Sequence, residues 1–361
     1  MNHKLILQYL GKVLSLLAAF MLLPLLVSLV NGDLIEARGF VFTILMLMAV
    51  GIPLGRLKAS TTKLYAKEGF IIVAVSWLAL SFFGALPFYF SGAIPSFIDC
   101  LFETVSGFTT TGASILRDVE SLSPGILLWR SFTHWIGGMG VLMFVMAVVP
   151  SINASSVNLL RAESTGPSPD KIVPKIRETA RIMYLIYIAM TVILIILLKI
   201  AGLPIFDSLL NAFSTAGTGG FSNMNASIGA YNNIAAEIII TIFMFLFGIN
   251  FSLYFVLIGR KFVKFIKDIE LKVYFGIVIA AILIIAIDTS GLYGGIFEAL
   301  RHSSFQVSSI ISTTGFATTD FNLWPTLSQS ILVLLMITGC CAGSTGGGIK
   351  LITFIILLKA V

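Results

Sequence analysis

The sequence predicts an all-α integral membrane protein in which one unit, a span, a short helix, a glycine turn and a second span, is repeated. Three observations predict it. Of 361 residues, 57% are hydrophobic and only 11% charged, whereas a soluble domain carries about 25% charged residues. The apolar residues fall into runs separated by short polar connections, many of them near the roughly 20 residues a helix needs to cross a bilayer. A hydroxyl-rich stretch containing glycine recurs three times at matching places between those runs.

Taken in order, the spans are expected near residues 5–30, 39–55, 69–91, 124–150, 180–201, 232–260, 271–288 and 327–338, with an apolar tail at 349–361. The first resembles a signal peptide in having Lys4 and Lys12 before an apolar run, Val13 to Val30. The run is long and no small-residue cleavage site follows it, so a retained span is the better reading. The connections alternate in charge. Arg56, Lys58, Lys63 and Lys67 lie between spans two and three, Arg161, Lys171, Lys175, Arg177 and Arg181 between four and five, and Arg260, Lys261, Lys264, Lys267 and Lys272 between six and seven. The positive-inside rule puts these loops and the N-terminus in the cytoplasm. Topology alone accounts for the net charge of +6, so no nucleic-acid partner is implied, although the basic face leaves room for a docking role. Cys100, Cys340 and Cys341 form neither a metal-ligand spacing nor a disulfide framework.

The three recurring stretches fall on the outer side. They are FETVSGFTTTGAS (Phe102 to Ser114), FDSLLNAFSTAGTGGFS (Phe206 to Ser222) and FEALRHSSFQVSSIISTTGFAT (Phe297 to Thr318). Asp118 and Glu120 follow the first. Aligned on Gly112, Gly220 and Gly315, they share a serine six residues earlier (Ser106, Ser214, Ser309) and a polar side chain nine earlier (Glu103, Asn211, Gln306). Thirteen residues earlier stand Asp99, Asp207 and His302, and just before each glycine Thr111, Gly219 or Thr314. The glycines are 108 and 95 residues apart.

Irregular backbone at membrane depth is tolerated only where protein buries it or water lines it. A half-helix that dips in and ends in an extended turn can aim backbone carbonyls at one axis, where they replace the hydration shell of a cation. Glycine permits the backbone angles such a turn needs, and the negative C-terminal end of each half-helix favours a cation. Each stretch therefore reads as one wall of an ion-selectivity filter. The ion-binding residues are expected to be Thr110, Thr111 and Gly112, then Thr218, Gly219 and Gly220, then Thr313, Thr314 and Gly315.

These stretches, together with RSFTHWIGGMG (Arg130 to Gly140) and GCCAGSTGGGIK (Gly339 to Lys350), resemble the membrane subunits of the Trk/Ktr/HKT potassium transporters, and the Trk type above all. The resemblance covers the whole chain. It implies M1–P–M2 units with re-entrant pore loops, like those of potassium channels, preceded in Trk-type members by two extra spans. The chain then divides into two N-terminal helices at 1–68, a first unit at 69–160, a second at 161–268 and a third at 269–361. A fourth unit, which would complete the ring, is not found, so the chain is expected to be a truncated polypeptide. The resemblance also implies potassium at the filter residues, no organic cofactor on this chain, residence in the inner membrane and a homodimer. A separate cytosolic nucleotide-binding subunit of the TrkA/KtrA type is implied as partner. Glycine at all filter positions goes with potassium selectivity in the family, and serine in the first goes with sodium transport in some plant members.

GCCAGSTGGGIK interrupts an apolar segment, and five of its twelve residues are glycine, so a continuous helix is not expected. It lacks the GK[ST] ending of a nucleotide-binding loop. The resemblance implies an intramembrane gate under the filter, made of Gly343, Ser344, Thr345, Gly346, Gly347, Gly348 and Lys350. Glu103 and Arg130 are ionisable groups in apolar surroundings and so candidates for function, with bracing of the filter preferred over ion contact for Glu103. His134 reads as a packing or hydrogen-bonding residue, and Gly137, Gly138 and Gly140 as sites of close helix approach. No HExxH motif or aspartate pair supports an enzyme. A sodium-coupled symporter with broken helices is the alternative, but the three repeats share one orientation.

Overall fold

The computed structural model describes residues 2–58, 65–140 and 176–360. Among these the chain is all helical, and its one extended pairing is an isolated parallel bridge between Thr338 and Ile349. The helices are α1 (His3–Phe20), α2 (Leu22–Asn31), α3 (Leu34–Gly55), α4 (Ala66–Ser91), α5 (Phe97–Phe108), α6 (Pro124–Gly138), α7 (Ile176–Ile200), α8 (Ile205–Ala216), α9 (Ile234–Phe247), α10 (Phe251–Ile258), α11 (Phe262–Lys267), α12 (Ile269–Thr289), α13 (Ile296–Ile311), α14 (Thr326–Ile337) and α15 (Leu351–Ala360). Among the described residues, five stretches are long and apolar enough to cross a membrane: His3–Asn31, Leu34–Gly55, Lys67–Ser91, Glu178–Ile200 and Ile269–Thr289. Lys63, Arg161, Lys171, Lys175 and residues 141–150 of the expected span 124–150 lie outside the described residues.

Two compact units emerge. One holds α1–α6 and the start of α7. The other holds the rest of α7 through α15 together with Thr110–Gly112, so the chain leaves the first unit for one turn and returns at Ala113. In the first unit α3 packs against α1, α2 and α4, and α5 lies between α4 and α6. Small residues allow the approach of α1 to α3: a side chain on Gly11 would run into the backbone of Leu54 and Gly55, the small-residue contact expected where lipid removes any hydrophobic drive between helices. The Glu68 carboxylate accepts from the backbone N–H groups of Asn2 (2.7 Å) and Tyr65 (3.0 Å), tying the start of α1 to that of α4. In the second unit α12 packs on α13, α14 and α15, while α13 also contacts α9. Tyr274, Ile285, Val307, Ile311, Cys340 and Cys341 are fully buried in its core.

One expected span is corrected. Residues 232–260 are not a continuous helix: α9 and α10 meet at 95°. Gly248 ends α9, and the Asn250 side chain accepts from Ser252 N at 2.8 Å to start α10, so an internal cap competes with helix continuation. The first span is broken more gently at Met21 between α1 and α2, one turn ahead of where Pro24 withholds its N–H.

Candidate functional site

Three short helices, α5, α8 and α13, each lead into one of the glycine turns. Each carries buried hydroxyls and one buried polar side chain nine residues before its glycine: Glu103, Asn211 and Gln306 are at most 1% exposed. The turns have the same backbone. Thr110, Thr218 and Thr313 have φ of 55°, 53° and 59°, and Gly112, Gly220 and Gly315 have φ of 75°, 78° and 83°, whereas the residues between them do not have positive φ. Alternation between left- and right-handed angles turns successive carbonyls toward one side, the arrangement a filter for dehydrated cations requires. Positive φ in a β-branched residue is strained. The Thr218 hydroxyl donates to Gly217 O at 2.7 Å and that of Thr313 to Ser312 O at 2.6 Å, which holds two of the three turns.

Neighbouring turns touch. A Cβ on Gly112 would meet the Gly219 carbonyl, and one on Gly220 the Thr314 carbonyl, while one on Gly315 would meet nothing within 4 Å. Gly219 and Thr314 therefore turn carbonyls toward the next glycine.

The polar residue nine before each glycine braces the segment beyond the turn, each time with different chemistry. Glu103 accepts from Ser114 Oγ (3.0 Å), Ile115 N (3.0 Å) and Arg130 Nε (2.5 Å). Asn211 donates to Tyr231 OH at 3.1 Å, and that hydroxyl donates to Asn223 at 2.9 Å, which in turn donates to Asp207 at 3.1 Å. Gln306 donates to Thr319 O at 3.1 Å. Arg130 and His134 are buried on α6, 3% and 0% exposed. The Gly140 carbonyl accepts from Tyr184 OH at 2.8 Å.

The stretch between α14 and α15 is a non-helical loop, and its polar groups reach the turns directly. Thr218 Oγ1 lies 3.0 Å from Thr345 O, and Gly347 N donates to Thr313 Oγ1 at 2.7 Å. Lys350 Nζ donates to Gly346 O, and Ser344 Oγ donates to Cys341 O at 2.6 Å. Gly343 and Gly348 have φ of 68° and 73°. Gly343 O accepts from Phe251 N at 3.0 Å, and Gly248 O accepts from Cys341 N at 3.1 Å, so the loop sits on the break between α9 and α10. Glu270 at the start of α12 clasps both loop ends, accepting from Ala342 N (2.8 Å) and Ile352 N (3.1 Å).

Sequence reasoning overlooked Asn250, Glu270 and Tyr231. The Gly248-Ile249-Asn250 succession is a stop followed by a cap and signals the break; Glu270 stands among lysines with nothing local to mark it.

Comparison with known proteins shows the family. The family model for TrkH, described as a cation transport protein, matches residues 36–361. The chain is 36% identical to the Trk system potassium uptake protein TrkH of Salmonella typhimurium, over 99% of this chain and 75% of that protein. It is 37% identical to the Trk system potassium uptake protein TrkG of Escherichia coli K12, over 84% of this chain and 63% of that one. The crystal structure of the potassium transporter TrkH from Vibrio parahaemolyticus superimposes with a TM-score of 0.86 at 31% identity, covering 99% of this chain and 75% of that one. A family match over nine-tenths of the sequence, joined to a shared fold, leaves one conclusion: the chain belongs to the TrkH family of cation transport proteins.

Proposed function

We propose that this protein is the pore-forming subunit of a potassium uptake system in the inner membrane of a bacterium or archaeon, with its N-terminus in the cytoplasm. Residues 69–160, 161–268 and 269–361 act as M1–P–M2 units. Potassium, the cargo, exchanges its water for carbonyls of Thr110–Gly112, Thr218–Gly220 and Thr313–Gly315. One observation carries the reading: three turns distant in sequence share the same alternation of positive and negative φ, which is what lines carbonyls along a path. The relatives' names supply the ion. The protein is a transporter rather than an enzyme, and it works as a homodimer with a cytosolic TrkA/KtrA-type subunit.

Rubidium-86 uptake into proteoliposomes tests this. Potassium should compete strongly and sodium weakly. Equal competition by the two ions would remove the selectivity claim, and absence of flux with or without a cytosolic partner would favour a symporter.

The loop from Gly343 to Lys350 acts as the gate. Its two glycines at the turns differ. A Cβ on Gly346 would lie 2.7 Å from Cys340 Sγ and 2.9 Å from Cys340 Cβ, whereas one on Gly347 would lie 3.3 Å from Thr313 Oγ1. Overpacking costs about 1–3 kcal/mol, enough to shift the balance between two loop positions by roughly fivefold or more. Gly346→Ala is expected to change the rubidium rate at least about fivefold and Gly347→Ala much less, both without altering the potassium-to-sodium ratio. A changed ratio in either variant would argue against a gate separate from the filter.

A further inference from the structure

On the face where α12 begins, a cavity of about 1030 Å³ opens between α11 and the loop ends. Its lining carries four basic residues, Arg260, Lys261, Lys264 and Lys267, against two carboxylates, Asp268 and the buried Glu270, and it reaches Ala342 and Ile352 at the loop ends. All four basic residues are exposed, and none forms an ion pair among the described residues. The same short helix exposes Phe262, Val263 and Ile266 at 56%, 66% and 63%. Apolar side chains and lysines alternate on a segment that immediately precedes a helix long and apolar enough to span a membrane, a pattern that suits the interface, with hydrocarbon toward lipid and ammonium groups toward headgroups.

We infer that this cavity is a binding site for the headgroup of an anionic phospholipid, with its phosphate held by Arg260, Lys261, Lys264 and Lys267 and its acyl chains against Phe262, Val263 and Ile266. Clustered lysines and arginines beside a span recruit anionic lipid, each contributing roughly fivefold near the surface. A free anion or an acidic soluble protein would satisfy the charges but leave the three apolar side chains without a partner. The Glu270 clasp shares the cavity lining with both ends of the gate loop, so the headgroup sits where occupancy can bias the loop. The inference rests on the membrane orientation proposed above.

The test is lipid retention, which requires no transport. Protein exchanged into mixed micelles of phosphatidylcholine and phosphatidylglycerol is examined by native mass spectrometry. Phosphatidylglycerol should be retained preferentially, and the variant Arg260→Gln/Lys261→Gln/Lys264→Gln/Lys267→Gln should lose that preference by at least about tenfold. The control Arg56→Gln/Lys58→Gln, in another basic connection, should keep it. Equal losses in the two variants would reduce the site to general surface charge and overturn the inference. So would unchanged retention in the quadruple variant, which would leave the basic residues to a soluble acidic partner, or displacement of the lipid by millimolar inorganic phosphate, which would make it a free-phosphate site. Lipid retention without rubidium flux would support the inference while counting against the proposed transport.

Discussion

Gly220→Ala is expected to abolish most rubidium uptake, while Gly315→Ala leaves a measurable fraction. Both glycines hold left-handed angles, at φ 78° and 83°, where any other L-residue pays about 1–2 kcal/mol. Only Gly220 also faces a wall: a Cβ there would enter the space of the Thr314 carbonyl, a backbone atom that cannot swing aside, whereas Gly315 has nothing within 4 Å. Overpacking adds about 1–3 kcal/mol. The Gly220 turn thus loses roughly 2–5 kcal/mol, equivalent to a thirtyfold or greater loss of flux, and the Gly315 turn loses only the conformational share, roughly tenfold. Gly112 behaves like Gly220, because its Cβ would meet the Gly219 carbonyl. Initial uptake rates at matched protein density in the membrane measure this. Equal losses at Gly220 and Gly315 would mean that contact between turns does not matter and that backbone angle alone sets the site.

The glycine turns were legible because their signal is repetition. Residues 108 and 95 apart share a pattern that chance does not supply, and each copy corrects the reading of the others. The break between α9 and α10 was not legible from hydropathy, since Gly248 and Ile249 are themselves apolar and an averaging window spreads over a three-residue interruption; the stop at Gly248 and the capping chemistry of Asn250 mark it. The positive φ at Thr110, Thr218 and Thr313 runs against β-branched preference and no local rule predicts it. It is imposed by the turn, and at Thr218 and Thr313 held by hydroxyl bonds to the preceding carbonyl. The contacts from the loop to the turns join residues 127 and 34 positions apart. The glycine content of the loop announced that it is not a helix, but which threonine it meets depends on how the helices of the second unit pack. The polar residue nine before each glycine was visible as a position and not as a role, because Glu103, Asn211 and Gln306 reach three different partners.

The first of those braces carries the second large prediction. Glu103 and Arg130 are a buried ion pair, 2.5 Å from Nε to Oε1, with side chains 0% and 4% exposed. Two charges withdrawn from water persist because each neutralises the other and because Ser114 Oγ and Ile115 N satisfy the remaining carboxylate positions. Removing the cation alone strands the carboxylate. Arg130→Met is therefore expected to destabilise the protein by about 3–5 kcal/mol, lowering the apparent melting temperature in detergent by on the order of 5 °C. Neutralising both members is much milder, since a well-packed neutral pair often equals a buried ionic one, and in Glu103→Gln/Arg130→Met the new amide oxygen still accepts from Ile115 N. The double variant should recover most of the lost thermal stability. Selectivity separates bracing from ion contact. Ser114 and Ile115 follow directly on the Gly112 turn, and the neutral glutamine keeps that tether, so the double variant should retain preference for potassium over sodium where Arg130→Met loses part of it. Arg130→Met as heat-stable as the parent would rule out the pair as a structural brace. A double variant that is stable but no longer selective would show that the negative charge of Glu103 acts on the ion itself.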